Sequence, residues 1–384
     1  MEVTPRIQGD LLTLTLKGRL AADSVAAMDR PWLSPGIRRL ELDLGECEYV
    51  SSAGLRVFLK LAREAKAQGV GLALVNVLPS VEHTLEVTGL TQLFTVRPRA
   101  REISIEGLEF LSAGLCGECF RLDADTIVKL YNEGVSREIA EQEKDYAKAA
   151  FVAGIPTALS YDVVCCGSRT GVVYEMLDAQ LFSRVIAADP DNAQAYGRQL
   201  AQIAGTIHSI PGDPSVFPDL KSRLKTYIEG LRDALSDDEV WCLLQRLESV
   251  PQADTLVHFD LHTSNIMIRD GEPVIIDMGD VSRGCPLFDV GVIALIFGYP
   301  ETGGSEFVTR VPNQTGRILY ESFIETYFVG RPVWEREFFE RNADFLACLR
   351  LIAAVAFLPF KRDELMPKIR QFLAMQQIKD RAYA

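Results

Sequence analysis

The sequence predicts two domains of different class: a small α/β domain over residues 1–99, and an α+β domain over 108–384, with 100–107 as linker. Within the larger domain a strand-rich lobe (about 108–179) precedes a helical lobe (about 180–384). Three observations carry this expectation. A chain of 384 residues exceeds what one compact core usually holds. The first hundred residues alternate strand-type and helix-type patterns, whereas the rest places its strands first and its helices after them. Charge is also split. Residues 1–99 carry 12 Lys+Arg and 11 Asp+Glu, or +1 of a net −13, which leaves −14 on the remainder.

In the first domain, "LLTLTLKGRL" and "RRLELDLGECEYV" alternate apolar and polar residues as half-buried strands do. "GLRVFLKLAREAKAQG" puts Leu55, Phe58, Leu59 and Ala62 on one face of a helix over 54–67, with Gly69 as its stop. "VGLALVNV" reads as a buried strand, and "PSVEHTLEVTGL" as a short helix opening at Pro79, ending at Gly89 and carrying a surface His83.

In the second domain, "LEFLSAGLCGECFRLDADTIVKLY" reads as two or three antiparallel strands around a Gly-containing turn. "SREIAEQEKDYAKAAFVAG" follows as a charged helix, with Ser136 as N-cap and Gly154 and Pro156 closing it. "TGVVYEML" gives another strand. From about Ala188 the chain is helical, except around "LVHFDLHTSNIMIRDGEPVIIDMGD" (256–280).

Composition narrows the function classes. The longest apolar runs, such as "LIAAVAFLPF", are too short to span a bilayer, and the N-terminus lacks a signal-peptide pattern. No membrane is expected as partner, and the expected location is the cytoplasm. Eight scattered cysteines read as reduced thiols; "CGEC" has no second pair at zinc-finger spacing. The acidic second domain argues against nucleic acid. It suits a cationic substrate, and equally plain solubility.

The stretch 256–280 concentrates the chemistry. Phosphoryl transfer from a nucleotide needs a carboxylate beside the acceptor hydroxyl, oxygen ligands for Mg²⁺, a lysine on the phosphates and backbone N–H groups over them. Asp260 and Asn265 share one loop, and Asp277 ends the strand "PVIID". "HFDLHTSNIM" followed by "VIIDMGD" resembles the catalytic and metal loops of the aminoglycoside/choline phosphotransferase family, relatives of the protein kinases with a bilobal fold. The resemblance covers about 104–384. It implies that Asp260 is the catalytic carboxylate, that Asn265 and Asp277 hold Mg²⁺, and that His258 and His262 are structural. It implies too that Asp289 braces the loop from the next helix. Upstream, it places Ala113, Gly114 and Gly117 in the nucleotide-covering turn, with Cys116 and Cys119 lining it. Lys129 would meet the ATP phosphates, and Glu143 would pair with it, although Glu138 and Glu141 share that helix. Glu175 and Leu177, in "YEML", would lie at the adenine hinge. Phe259, Thr263, Ser264 and Met278 depart from the family pattern at positions expected to line the acceptor side.

"ECEYVSSAGLRVFLKLAREA", with "GRLAADS" before it and "PSVEHTLEVTGLTQLF" after it, resembles the STAS domain of anti-sigma-factor antagonists. That resemblance covers 1–99 and implies recognition of a regulatory protein, with the regulatory phosphoserine at Ser52. The competing reading makes Ser51 or Ser52 a simple helix N-cap. Three functions stay open at this point: a kinase of a small amino-alcohol or amino-sugar, a protein Ser/Thr kinase in partner switching, and a non-catalytic kinase-fold scaffold.

Overall fold

The computed structural model describes residues 1–383, and the chain divides into two compact units, Met1–Ile103 and Ser104 onward. The first unit is a five-stranded sheet in the order β1-β2-β3-β4-β5. Strands β1 (Glu2–Gln8) and β2 (Leu11–Leu20) are antiparallel; β3 (Arg39–Val50), β4 (Gly71–Val77) and β5 (Thr95–Pro98) continue the sheet in parallel. The alternation seen in the sequence is the burial pattern. Leu12, Leu14, Leu16 and Leu20 of β2, with Leu40, Leu42 and Leu44 of β3, all point into the core. Neither β1 nor β5 has a counterpart in the sequence expectations. β1 is exposed along almost its whole length and shows no apolar alternation, and β5 is four residues long and ends in proline.

Helix α1 (Ser52–Ala67) buries Leu55, Phe58, Leu61 and Ala65; Leu59 and Ala62 lie at the margin of that face rather than at its centre. It begins two residues before the expected start. Its N-cap is Ser51, whose hydroxyl accepts from the Gly54 N–H at 3.3 Å and donates to the Leu20 carbonyl at 3.2 Å. Ser52 is the first helical residue and is exposed. α2 (Pro79–Val87) starts at its proline, and Gly89 turns the chain at φ +70°. A two-residue strand, β6 (Arg101–Glu102), falls in the segment expected as linker.

The second unit opens with an antiparallel sheet of β7 (Glu109–Ala113), β8 (Gly117–Arg121), β9 (Thr126–Tyr131), β10 (Ser160–Cys166) and β11 (Arg169–Glu175), in the order β10-β11-β9-β8-β7. Helix α3 (Arg137–Val152) lies between β9 and β10 in sequence. Ser136 stands at its N-cap position, but the serine side chain makes no cap bond.

Two small sheets follow. One contains β12 (Gln180–Leu181), β14 (Ile266–Arg269) and β15 (Glu272–Ile275); the other pairs β13 (Thr255–Val257) with β16 (Ser282–Gly284). Around them pack α4 (Phe182–Ala188), α5 (Ala193–His208), α6 (Leu220–Glu229), α7 (Asp237–Ser249), α8 (Leu287–Ile293), α9 (Asn313–Tyr327), α10 (Val333–Phe357) and α11 (Arg362–Tyr383). One continuous apolar core joins these helices. Among the described residues, no single helix is long and apolar enough to cross a membrane.

Gly54 tests the packing of α1. A helical Gly→Ala change ordinarily adds about 1 kcal/mol of stability. Here the new Cβ would sit 2.7 Å from both the Leu20 carbonyl oxygen and Leu20 Cγ, and 2.9 Å from Val50 Cγ1. The clash reverses the sign: Gly54→Ala is expected to destabilise the first unit by about 1–3 kcal/mol, read by denaturant unfolding.

Candidate active site

Asp260 lies in the loop between β13 and β14, and a buried carboxylate shapes that loop. Asp289, on α8, has no solvent exposure and accepts the backbone N–H of His258 at 2.8 Å and of Phe259 at 2.6 Å. Its Oδ2 also contacts Nε2 of His208 at 2.9 Å, and His208 Nδ1 meets the Tyr327 hydroxyl at 2.7 Å. Buried carboxylates persist only when bonded in this way. The bonds hold Phe259 at φ +60°, a left-handed conformation that a bulky residue rarely adopts. His258 ties the loop to the segment that follows β15. Its Nε2 donates to the Ile276 carbonyl at 3.1 Å, so Nδ1 is the acceptor for the Asp260 N–H at 3.3 Å. The Ile276 N–H in turn donates to the Asn265 carbonyl at 2.9 Å.

Asp260 Oδ1 is held by Arg350 of α10, through Nε at 2.9 Å and Nη2 at 2.8 Å. Its Oδ2 accepts from Asn265 Nδ2 at 3.2 Å and lies 3.7 Å from His262 Nε2. Burial pushes this carboxyl up, but the Arg350 guanidinium and the His262 and His258 rings outweigh it and hold the group well below the usual carboxylate range. Arg350 also reaches Asp280 Oδ2 at 3.2 Å, and Arg223 of α6 reaches Asp280 Oδ1 at 3.3 Å. The result is an alternating row of charges: Asp260, Arg350, Asp280, Arg223.

Lys129, on β9, contacts Glu143 Oε1 at 2.8 Å and Asp277 Oδ1 at 2.9 Å. Glu143 is buried on α3 and also receives the hydroxyls of Tyr131 at 2.5 Å and Tyr174 at 2.8 Å. The choice among three helix acids is thereby made: Glu141 pairs with Arg137, and Glu138 is exposed. Burial lowers the Lys129 ammonium, yet Asp277 and Glu143 win and raise it well above its ordinary value. Asp277 follows β15 at φ +65°, and its side chain is 42% exposed. Asn265 spends its amide N–H on the backbone and carboxylate oxygens of Asp260, which leaves an amide oxygen as metal donor. One carboxylate and one amide oxygen match the hard-oxygen preference of Mg²⁺, whose remaining ligands are normally water and phosphate oxygens.

The nucleotide-turn residues lie in the β7–β8 hairpin. Ala113 ends β7, Gly114 N–H donates to the Gly117 carbonyl at 2.8 Å, and a Cβ on Gly114 would meet nothing within 4 Å. Gly117 has a different reason to be glycine: its Cβ would fall 2.3 Å from the Leu130 carbonyl oxygen of β9. Cys116 is exposed in the turn; Cys119 is half-buried on β8, and burial pushes its thiol up. At the hinge, the Glu175 carboxylate contacts Arg269 at 3.3 Å, and its backbone N–H bonds the Leu159 carbonyl at 2.9 Å. Leu177 is buried with Ala158 and Val274.

Three of the four residues expected on the acceptor side are interior. Phe259, Thr263 and Met278 are at most 1% exposed, and only Ser264 is partly open. Phe259 instead packs edge-on against Phe288. The residues that face Asp260 from the helices, Arg350 first, are not singled out by the sequence. Their one local signal is a lone arginine inside the apolar run "ACLRLIAAVAF".

Comparison with known proteins bears on the family and the fold. Residues 109–336, more than half of the chain, match the phosphotransferase enzyme family (APH), and residues 3–97 match the STAS domain described as Mlab. A putative anti-sigma factor antagonist of Bordetella bronchiseptica is 37% identical over 78 residues, which are 20% of this chain and 63% of that protein. The chain thus spans under two thirds of the length of this curated relative. A thermostable mutant of aminoglycoside phosphotransferase APH(4)-Ia without ligand superposes with a TM-score of 0.50 at 15% identity, over 71% of this chain and 97% of its own. A further mutant of the same enzyme, in ternary complex with ADP and hygromycin B, gives 0.50 at 12% identity, over 70% and 93%. Identities this low establish the fold.

The depressed Asp260 carboxyl makes stability depend on pH. A carboxyl whose folded pKa lies below its unfolded value of about 3.9 stabilises the fold above that value, and this contribution is lost as pH falls toward the folded pKa. Asp260→Asn removes the contribution and leaves Arg350 with Asp280 as its one carboxylate partner. The melting temperature of the variant is therefore expected below that of the natural chain at pH 6, with the gap narrowing as pH falls to 3.

Proposed function

Since this chain belongs, through residues 109–336, to the phosphotransferase enzyme family, we propose that it moves the γ-phosphoryl group of ATP, with Mg²⁺, onto a hydroxyl acceptor, and that its STAS-like unit recognises a regulatory protein. The observation that carries the first part is the double clasp on Lys129, which joins Glu143 and Asp277 from elements far apart in sequence. Phosphoryl transfer requires the lysine paired with its helix acid, and the Asp277 contact brings the proposed metal acid beside that lysine.

In this reading Lys129 takes the phosphates, and the open β7–β8 turn at Ala113, Gly114 and Gly117 covers them. Glu175 and Leu177 border the adenine. Asn265 and Asp277 hold Mg²⁺, which neutralises phosphate charge when bound. Asp260 receives the acceptor hydroxyl on Oδ2, the oxygen that Arg350 does not grip. A carboxylate held so far below its ordinary pKa is a weak base, so its contribution is to orient the nucleophile in line. The loose transition state of phosphoryl transfer asks for little more.

The second part rests on the STAS match, the partial likeness to an anti-sigma factor antagonist and the placement of Ser52. Ser52 is exposed at the start of a 16-residue helix, where first-turn N–H groups favour an added phosphate; Ser51 is consumed as cap. We take Ser52 as the phosphate-accepting position of that unit.

Two experiments test these readings. Asp260→Asn is expected to lower kcat by about 10²–10⁴-fold, with ATP affinity changed by less than about threefold. An unchanged kcat would remove Asp260 from the reaction. In the STAS-like unit, Ser51→Ala should cost about 1 kcal/mol of unfolding free energy, and Ser52→Ala less than about 0.5 kcal/mol. Phosphopeptide mapping of the natural chain should find phosphate at Ser52; label at Ser51 instead would reverse the assignment.

A further inference from the structure

Asp260 stands at one end of a charge-balanced row of two carboxylates and two guanidinium groups. Arg350 places Nε and Nη2 on a single Asp260 oxygen, Oδ1, at 2.9 and 2.8 Å, and its Nη1 faces Asp280 Oδ2 at 3.2 Å. All three nitrogens are thus spent inside the chain, and the side chain is 16% exposed. The guanidinium carbon also lies 5.7 Å from the ring centre of Phe259, the residue before Asp260. Asp280 gives its other oxygen to Arg223 at 3.3 Å. Arg223 donates as well to the Asp280 carbonyl at 3.1 Å, to the Ser282 hydroxyl at 2.7 Å and to the Tyr227 hydroxyl at 3.2 Å. Tyr227 meets Phe357 edge-on, with centroids 5.5 Å apart, which returns the circuit to α10, the helix of Arg350.

A buried row of ion pairs adds little stability over well-packed apolar side chains, and this one carries no net charge. Its contribution beside Asp260 is geometry. A carboxylate turns about its Cβ–Cγ bond over a broad, two-fold range. Two donors on Oδ1 stop that turning and leave Oδ2, beside Asn265 Nδ2, as the oxygen free to meet a hydroxyl. The same guanidinium reaches Asp280, in the short turn Met278–Asp280 that directly follows Asp277. One rigid planar group on α10 therefore spans the loop of Asp260 and the loop of Asp277. Resting on the phosphotransferase reading, we propose that Arg350 is a positioning residue for the transfer. It fixes the Asp260 carboxylate with Oδ2 toward the acceptor, and it sets the spacing between the Asp260 loop and the turn after Asp277. Asp280 and Arg223 hold Arg350 in that place.

The test uses the full chain. Mg·ADP is titrated first by calorimetry; failure to bind it would sink the phosphotransferase reading itself. ADP release from saturating Mg·ATP is then followed with water as the acceptor. In that transfer the bond from the γ-phosphorus to the bridging oxygen breaks, one to the water oxygen forms, and the proton leaves with the phosphate product. The natural chain is expected to release ADP at a rate that is largely lost in Asp260→Asn. Arg350→Ala should lower kcat by about 10–100-fold, with KM for Mg·ATP and ADP affinity within about threefold. Asp280→Asn, which loosens one end of Arg350, should lower kcat by about 3–10-fold. Guanidinium chloride, far below denaturing concentrations, should raise the Arg350→Ala rate by at least about threefold. A residue that only held the fold together would lose activity with the folded fraction, and guanidinium would lower it further. Should Arg350→Ala fail to fold, Arg350→Lys keeps the charge without the three contacts, and its kcat should fall by at least about threefold at an unchanged KM. Release of ADP that does not depend on Asp260, a rate unchanged or raised in a folded Arg350 variant, no fall in Asp280→Asn, or no rescue by guanidinium would each overturn the proposal.

Discussion

Lys129 brings a full positive charge to a position where its side chain keeps little contact with water. Such a charge is tolerated only with close anionic partners, and removing one partner leaves the other charge stranded at a cost of several kcal/mol. The partners come from α3 and from the loop after β15, 14 and 148 residues away in sequence. Sheet, helix and lower loop must therefore all be in place before this one side chain is satisfied. The two tyrosines on Glu143 extend the constraint back into β9 and β11, so the acid is oriented by the same sheet that carries the lysine. A contact that closes only in the assembled fold is also the one we propose as the clamp for a triphosphate.

A second buried carboxylate does comparable work for the loop that carries Asp260. Asp289 accepts two consecutive backbone N–H groups, which offsets the roughly 1–3 kcal/mol of holding Phe259 in a left-handed conformation. The strained residue directly precedes Asp260. Strain here sets the direction in which the carboxylate leaves the backbone, and the Phe259 ring, packed inward on Phe288, anchors the turn from below. His208 and Tyr327 fix Asp289 from the other side, so the chain of positioning runs from α9 through α5 and α8 to the Asp260 loop.

What could be read from the sequence follows the range of the physics involved. His258, Asp260, Asn265 and Asp277 fall within one short stretch because a loop and a hairpin bring them together locally, and that spacing is visible in a string of letters. The core strands β2 and β3 are visible because one buried face imposes a period of two; β1 and β5, at the sheet's edges, have no such face to display. Ser51 and Ser52 are adjacent and chemically alike, so only backbone geometry separates the cap from the exposed serine. Arg350 lies 90 residues from the carboxylate it grips. Nothing near it in sequence marks a site, and its meaning arises only when α10 crosses behind the catalytic loop. Phe259 and Met278 mislead for a related reason: neighbours of a catalytic residue in the chain can point away from it in space.

The contrast between the elements around Lys129 and the helices beside Asp260 bears on how much a fold conveys about a substrate. The side proposed to hold the nucleotide is built from elements that the whole architecture requires: a sheet strand, its packed helix and the loop after β15. Altering them would undo the fold along with the chemistry. Arg223 and Arg350 lie on α6 and α10, which pack into the core through other residues, Leu224 and Ile228 on one and Leu346, Leu349 and Ile352 on the other. Arg223, Tyr227, Arg350 and Phe357 can therefore change while those helices keep their packing. Acceptor preference can therefore vary at a few helix positions while the fold stays, so the hygromycin B held by a protein of the same architecture does not carry over to this chain.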